Sequence, residues 1–526
     1  MKGLNILLRL IIILIFISGC NNDDEKIVLE NLPPGDFTVL VSEITVNSAL
    51  LTWNLAIDPE GDQVTYSVVL EGDEVQSNIN NPEFLLENLN AQTSYSGKVI
   101  ASDIKGAKSE STFVFNTDEE LVIIDEEDVS ITWEKSLGGS LDDEAYKIVQ
   151  TTDGGYIAIG SSESDDGDVT ENKGLRDCWI VKLDGLGNIE WETSLGGSGN
   201  DTPHEIQQTV DGGYILGAFS SSSDGDVGGN NGMRDFWIVK LNSTGGIIWE
   251  TNLGGSKDDI LESIKQTTDG GYIASGFSSS NDENVENNNG KADAWVVKLD
   301  ALGNLEWETN IGEANNDIAA SIDQTTDEGY IFTGYTAITS SNRNVMVVKL
   351  DPLGNPLWNK SLGGSANDEG VSIQQTLDNG YIIGGYSKSL DGDVGGNNGF
   401  NDAWIIKLDM SGNILWEKNL GGSENEGITS IQQTTDGGYI AVGSSSSSDG
   451  DVSENNGATD FWVLRLDTSG NILWEKSFGD TSDDYGTSVQ ETSDGSYVVI
   501  GTTFTNIIDN GESSSGDFNY WVIKLE

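Results

Sequence analysis

Apolar and polar residues alternate over short runs for most of the chain, and the runs recur. A Tyr opens an apolar run at Tyr156, Tyr214, Tyr272, Tyr330, Tyr381, Tyr439 and Tyr497. A second run ends in a basic residue at Lys182, Lys240, Lys298, Lys349, Lys407, Arg465 and Lys524. A Trp before a Gly-Gly-Ser-like turn recurs at Trp133, Trp191, Trp249, Trp307, Trp358, Trp416 and Trp474, spaced by 58 residues except for one step of 51. Period-2 alternation bounded by Gly, Asp and Asn turns is the signature of β-strands. One copy predicts strands over residues 205–209, 213–219, 236–241 and 247–253.

Four strands per repeat is the blade of a β-propeller, and seven copies predict seven blades over residues 129–526. The seventh copy ends after its third strand, at Glu526. The Trp strand at residues 129–137 precedes the first full copy and is expected to complete the seventh blade, which would remove an exposed edge. Residues 33–117 carry a different set of short strands, with Trp53 on one and Tyr66 on the next. Residues 118–128 are an acidic linker. The fold class expected is all-β: a sandwich followed by a propeller.

The N-terminus reads as an address. Lys2 and Arg9 flank an apolar run too short to span a bilayer as a helix. It ends Ile17-Ser18-Gly19-Cys20, which resembles the lipobox of bacterial lipoproteins. The resemblance implies that residues 1–19 are a signal peptide and that Cys20 receives acyl chains, a stable membrane anchor. Residues 20–32 form an acidic tether whose start, Asn21-Asn22-Asp23-Asp24-Glu25, resembles the export signal of surface lipoproteins. The expected location is the outer membrane, facing the cell surface, with a periplasm-facing anchor as the alternative.

In residues 33–117, Leu89 and Tyr95 stand where a tyrosine corner would, and the segment resembles a fibronectin type III domain. Residues 129–526 resemble the repeat propellers of secreted bacterial proteins. The turn Leu183-Asp184-Gly185-Leu186-Gly187-Asn188 also resembles the quinoprotein dehydrogenase repeat, but no quinone-binding set accompanies it.

Composition narrows the chemistry. The formal net charge is −61 over 526 residues, with a single His and two Cys. Such a field repels phosphate backbones and excludes nucleic-acid binding. One His and two Cys exclude a His-built metal centre, a zinc module and a disulfide framework.

Loop asymmetry points to one face, where the longer connections lie. Each repeat carries an acid at the entry to its first strand: Asp143, Asp201, Asp259, Asp317, Asp368, Glu426 and Asp484. In a closed ring these would circle the mouth of a central channel, unless each caps its own turn. The Ser-rich loop holds the pairs Asp166/Asp168, Asp224/Asp226, Asp391/Asp393 and Asp449/Asp451. Carboxylates two apart suit Ca²⁺, although the EF-hand spacing is absent. Asp177, Asp235, Asp293, Asp402 and Asp460 are expected to fix the loop's return to its strand. His204 and Cys178 read as packed residues, and the short fourth repeat, with Met346 and Arg343, as a notch.

The function expected is a monomeric, non-catalytic binding or scaffold lipoprotein that needs no cofactor and presents an acidic face to a glycan or protein. The alternatives are a two-carboxylate polysaccharide hydrolase or lyase, and a Ca²⁺-loaded structural surface protein.

Overall fold

The structure, a computed structural model, describes residues 31–42, 44–45, 48–86, 89–90, 93–117, 129–339, 342–504 and 518–526. Cys20, the acidic run after it and the linker 118–128 lie outside these. The chain divides into two units, Met1–Val122 and Ile123–Glu526. All regular structure among the described residues is β.

The first unit is a two-sheet sandwich. One sheet has the order Val39–Ser42, Ala49–Trp53, Glu83–Leu86; the other Asp73–Ile79, Val64–Leu70, Ser94–Asp103, Lys108–Asn116. Trp53 packs 5.3 Å from the Tyr66 ring at its centre. The Tyr95 hydroxyl accepts the Asn90 N–H at 2.8 Å, pinning the corner before the long strand. Asp73–Ile79 is exposed along nearly its whole length, so it carried no apolar signal in the sequence.

The second unit holds seven four-stranded antiparallel sheets. The first is Asp143–Gln150, Tyr156–Ser162, Asp177–Leu183 and Ile189–Leu195. In the seventh, Asn519–Leu525 pairs with Ile131–Leu137 from the start of the unit. The second and third strands of the first sheet are buried at every position, which is why they read as nearly continuous apolar runs. First strands begin earlier than the sequence pattern suggested: Asp201–Gln208 contains Pro203, and a register shift between Pro203 and Glu205 lets the proline sit in the ladder.

Bonds between sheets form a cycle. The turn N–H of Thr152, Val210, Thr268, Thr326, Leu377 and Thr435 each donates to the Gln or Glu ending the next sheet's first strand, and Ser493 donates back to Gln150 at 2.8 Å. The Trp columns pack into the same junctions. Trp133 lies 5.7 Å from Tyr156 of the first sheet, and a Cβ on Gly187 would stand 2.8 Å from the Trp133 ring. The turn therefore takes glycine at φ 79°, both for its backbone and for the indole beside it.

A basic residue at the end of the third strand braces the first hairpin turn of each sheet, and it is buried in all but the seventh. Lys182 is 3% exposed; its Nζ donates to Leu183 O at 3.0 Å and meets Asp153 of the Thr-Asp-Gly-Gly turn at 3.1 Å. That carboxylate also accepts from Thr151 Oγ1 and Gly155 N, and these partners outweigh burial to hold its pKa at about 2.

Candidate functional site

Every Gly-Gly-Ser turn presents three successive backbone N–H groups, and carboxylates take all three in the fullest repeats. At the first turn Gly138 N donates to Asp168 (3.2 Å), Gly139 N to Asp143 (2.7 Å) and Ser140 N to Asp166 (2.8 Å). The second turn repeats this with Asp226 (3.2 Å), Asp201 (2.7 Å) and Asp224 (2.7 Å). The fifth uses Asp393, Asp368 and Asp391, and the sixth Asp451, Glu426 and Asp449. Consecutive N–H groups of this kind form an anion-binding nest, filled here by the chain's own side chains.

The strand-entry acids are therefore not a ring of carboxylates at a channel mouth. Asp143, Asp201, Asp259 and Asp368 are 0% exposed; Asp317, Glu426 and Asp484 are at most 3% exposed. Asp259, Asp317 and Asp484 accept turn N–H groups at 2.7, 2.8 and 3.0 Å. Serine hydroxyls add to this: Ser164 donates to Asp143, Ser222 to Asp201, Ser280 to Asp259 and Ser389 to Asp368. Burial pushes the Asp143 carboxyl up to about 6, and its hydrogen bonds only partly oppose this. The reason is that a buried carboxylate must be hydrogen-bonded, and the nearest donors are in its own turn.

The loop pairs are likewise spent on the turns. Among the described residues no group of three or more His, Cys, Asp or Glu side chains is placed to hold a metal. The Asp column meets the expected role: Asp177, Asp235, Asp293, Asp402 and Asp460 each accept the backbone N–H four residues earlier, at 2.6–2.7 Å.

The short fourth repeat opens a pocket. A cavity of about 330 Å³ is lined by Asn315, Asn316, Asn342, Asn367, Tyr335, Arg343 and Lys291, with Ala337 and Thr339. Arg343 lies 4.7 Å over the Tyr335 ring and pairs with Glu369, which also accepts the Tyr386 hydroxyl. Carboxamides also line the cavity around Gln374, Gln375, Gln432 and Gln433, but there without an arginine or lysine beside them.

The first strands of all seven sheets line a second cavity of about 320 Å³. Its wall carries a charge chain that the sequence reading missed. Glu205, 7% exposed, meets Lys265 at 2.9 Å and Lys147 at 3.4 Å, and Asp323 faces Lys265. These columns hold Ser or Gln in most repeats, so the charged exceptions were a legible signal.

His204 bonds Glu262 at 2.7 Å and stacks on Tyr146 at 5.4 Å. Cys178 is buried and unpaired, and burial pushes its thiol up.

Residues 32–117 match the fibronectin type III domain family. Residues 32–117 of the first unit are a fibronectin type III domain. A regulatory protein of Caulobacter vibrioides, FlaEY, is 23% identical over 271 residues, covering 47% of this chain and 27% of that protein. The chain thus spans about a quarter of that relative's length. Among solved structures, the exotype rhamnogalacturonan lyase YesX aligns over 94% of this chain and 90% of its own at 11% identity, with a TM-score of 0.34. A family 28 exopolygalacturonase of Yersinia enterocolitica aligns over 17% of this chain and 20% of its own, at 18% identity and a TM-score of 0.15. At these scores neither likeness bears on fold or activity.

Proposed function

We propose that this chain is a cell-surface lipoprotein, anchored through Cys20 in the outer membrane. Its second unit is a seven-bladed β-propeller that binds a neutral glycan without catalysing a reaction on it. The cycle of turn-to-Gln bonds that returns from Ser493 to Gln150, and the Ile131–Leu137 strand completing the seventh sheet, support the propeller. The lipobox supports the anchor, and a fibronectin type III domain between anchor and repeats suits a spacer.

The observation that carries the ligand reading is the pocket of the fourth repeat. Asn315, Asn316, Asn342 and Asn367 supply paired donors and acceptors, which match sugar hydroxyls. A net charge of −61 disfavours polyanionic polymers, so the ligand is a neutral polysaccharide. Evenly repeated acids, most of them held in turns, give no pair singled out for general acid and base chemistry.

The test is retention of the chain on a panel of neutral polysaccharides. One polymer should retain it, and Asn316→Ala with Asn367→Ala should abolish retention without moving the thermal midpoint. No retention on any polymer defeats the glycan reading and leaves a protein ligand, sought by cross-linking on intact cells.

A further inference from the structure

The cavity of about 320 Å³ lined by the seven first strands has a wall of one hydrogen-bonding sense along much of its circumference. Its carboxamides turn their oxygens to the neighbouring sheet. Gln207 Oε1 accepts the Gln266 N–H at 2.7 Å, and Gln374 Oε1 that of Gln433 at 2.8 Å. Gln432 Oε1 accepts from Glu491 at 3.2 Å, and Gln490 Oε1 from Gln150 at 2.6 Å. Ser321, Ser372 and Ser430 accept the N–H of Ile373, Ile431 and Val489 through Oγ at 3.3–3.5 Å. Among the described residues no acceptor meets the four Nε2 groups or the three hydroxyl hydrogens. What these side chains keep for the cavity is donors.

The structural role does not demand a carboxamide. Asp323 stands in the Gln column, and its carboxylate accepts the Gln375 N–H at 3.1 Å. A charged acceptor makes the stronger bond of the two. The chain has 87 acidic residues against 26 basic ones, yet Glu205 and Asp323 alone line this cavity, with Lys147 and Lys265 beside them. The two ammoniums share one carboxylate oxygen: Lys265 Nζ lies 2.9 Å from Glu205 Oε1 and Lys147 Nζ 3.4 Å from it. Lys147 has no closer acidic partner among the described residues. Burial pushes the Asp323 carboxyl up, which eases its protonation and leaves the lysines less fully answered.

We propose that this cavity binds a small carboxylate anion, its oxygens held by the amide nitrogens of Gln374, Gln432 and Gln490 and its charge answered by Lys147. These four groups belong to the fifth, sixth, seventh and first sheets, which are consecutive, so they lie along one side of the cavity. A carboxylate has acceptors and no donors, the complement of this wall. The volume is at the small end for ligand sites, which suits a molecule of a few carbons. Gln374 and Gln432 also line the cavity of about 620 Å³ that adjoins it. The site is separate from the pocket of the fourth repeat and does not rest on the glycan reading.

The experiment is isothermal titration of the full chain with acetate and succinate, each beside its neutral amide, acetamide and succinamide. At least one carboxylate should bind at a single site, and its amide should not. Lys147→Met removes the ammonium and should weaken binding about tenfold or more. Gln374→Glu keeps an oxygen for the Gln433 N–H but exchanges the donor for a charge. It should abolish binding while leaving the urea midpoint near that of the wild type. Lys147→Met decides the matter if Gln374→Glu does not fold. Binding of neither carboxylate, equal binding of the amides, or affinity unchanged by Lys147→Met would overturn the proposal.

Discussion

Trp521 donates its indole N–H to Glu134, 387 residues away in the chain, at 3.1 Å. It is the bond that Trp179 makes to Glu192 at 3.0 Å, 13 residues on, and that Trp237, Trp295, Trp404 and Trp462 make to Glu250, Glu308, Glu417 and Glu475. In the seventh sheet alone it joins the two ends of the repeat unit. Replacing Glu134 by Ala leaves a nearly buried indole N–H unpaired and should cost about 1–3 kcal/mol. Urea unfolding followed by Trp fluorescence reads it. Because the bond also holds the strand that covers the sheet's edge, the variant should aggregate sooner than Glu192→Ala under the same conditions.

The fourth sheet lacks this bond on both sides at once. Met346 stands in the Trp column and Asn359 in the Glu column, while Gly334 still lies opposite, as Gly385 does opposite Trp404. A Glu without the indole would lack that N–H partner, so the two losses belong together. Met346→Trp and Asn359→Glu should each fail to stabilise, and the double variant should recover about 1 kcal/mol over the sum of the singles. A double-mutant cycle by chemical denaturation measures the coupling; a value of zero would mean that the pair is coincidental.

What the sequence disclosed follows from what repeats. Strand periodicity and the Tyr and Trp columns were readable because seven copies of one packing solution must present the same side chains. The completion of the seventh sheet by Ile131–Leu137 was readable by counting strands. The partners of the acids were not, because Asp168 meets Gly138 across 30 residues and only the folded turn shows three N–H groups converging. Pattern alone therefore left open whether Asp143 and its equivalents ring a channel mouth or cap their own turns, and burial with the turn N–H bonds decides for the turns. The pocket at the short repeat was legible only as a missing loop; that Asn316 and Asn367 meet across it depends on the neighbouring sheets.

The hairpin turns hold one residue in the left-handed region, glycine in most copies, as at Gly154 (φ 85°). The fourth and fifth copies put Glu328 (φ 66°) and Asn379 (φ 63°) there. A Cβ in that region costs about 1–2 kcal/mol for an ordinary residue and less for Asn. Glu328→Gly should therefore raise stability by up to about 1 kcal/mol, since glycine's extra unfolded freedom takes back part of the gain. Asn379→Gly should change it less. Thermal unfolding of the two single variants beside the wild type gives the order.

His204 supplies a pH dependence of definite sign. Burial disfavours its charged form, but the Glu262 carboxylate at 2.7 Å, with Glu205 nearby, outweighs this and holds the pKa above the ordinary 6.5. Tyr146 and Phe219 close over the ring at 5.4 and 5.6 Å without contributing a positive charge. A histidine whose folded pKa is raised adds stability that is fully present below the unfolded value and lost as pH rises through the folded one. The stability difference between wild type and His204→Gln should therefore be largest at about pH 5 and shrink once pH passes 6.5. Glu262→Gln should remove the same step, because the raised pKa depends on that carboxylate. Urea midpoints across this range check both variants, and a difference that grew with pH would contradict the charged pair.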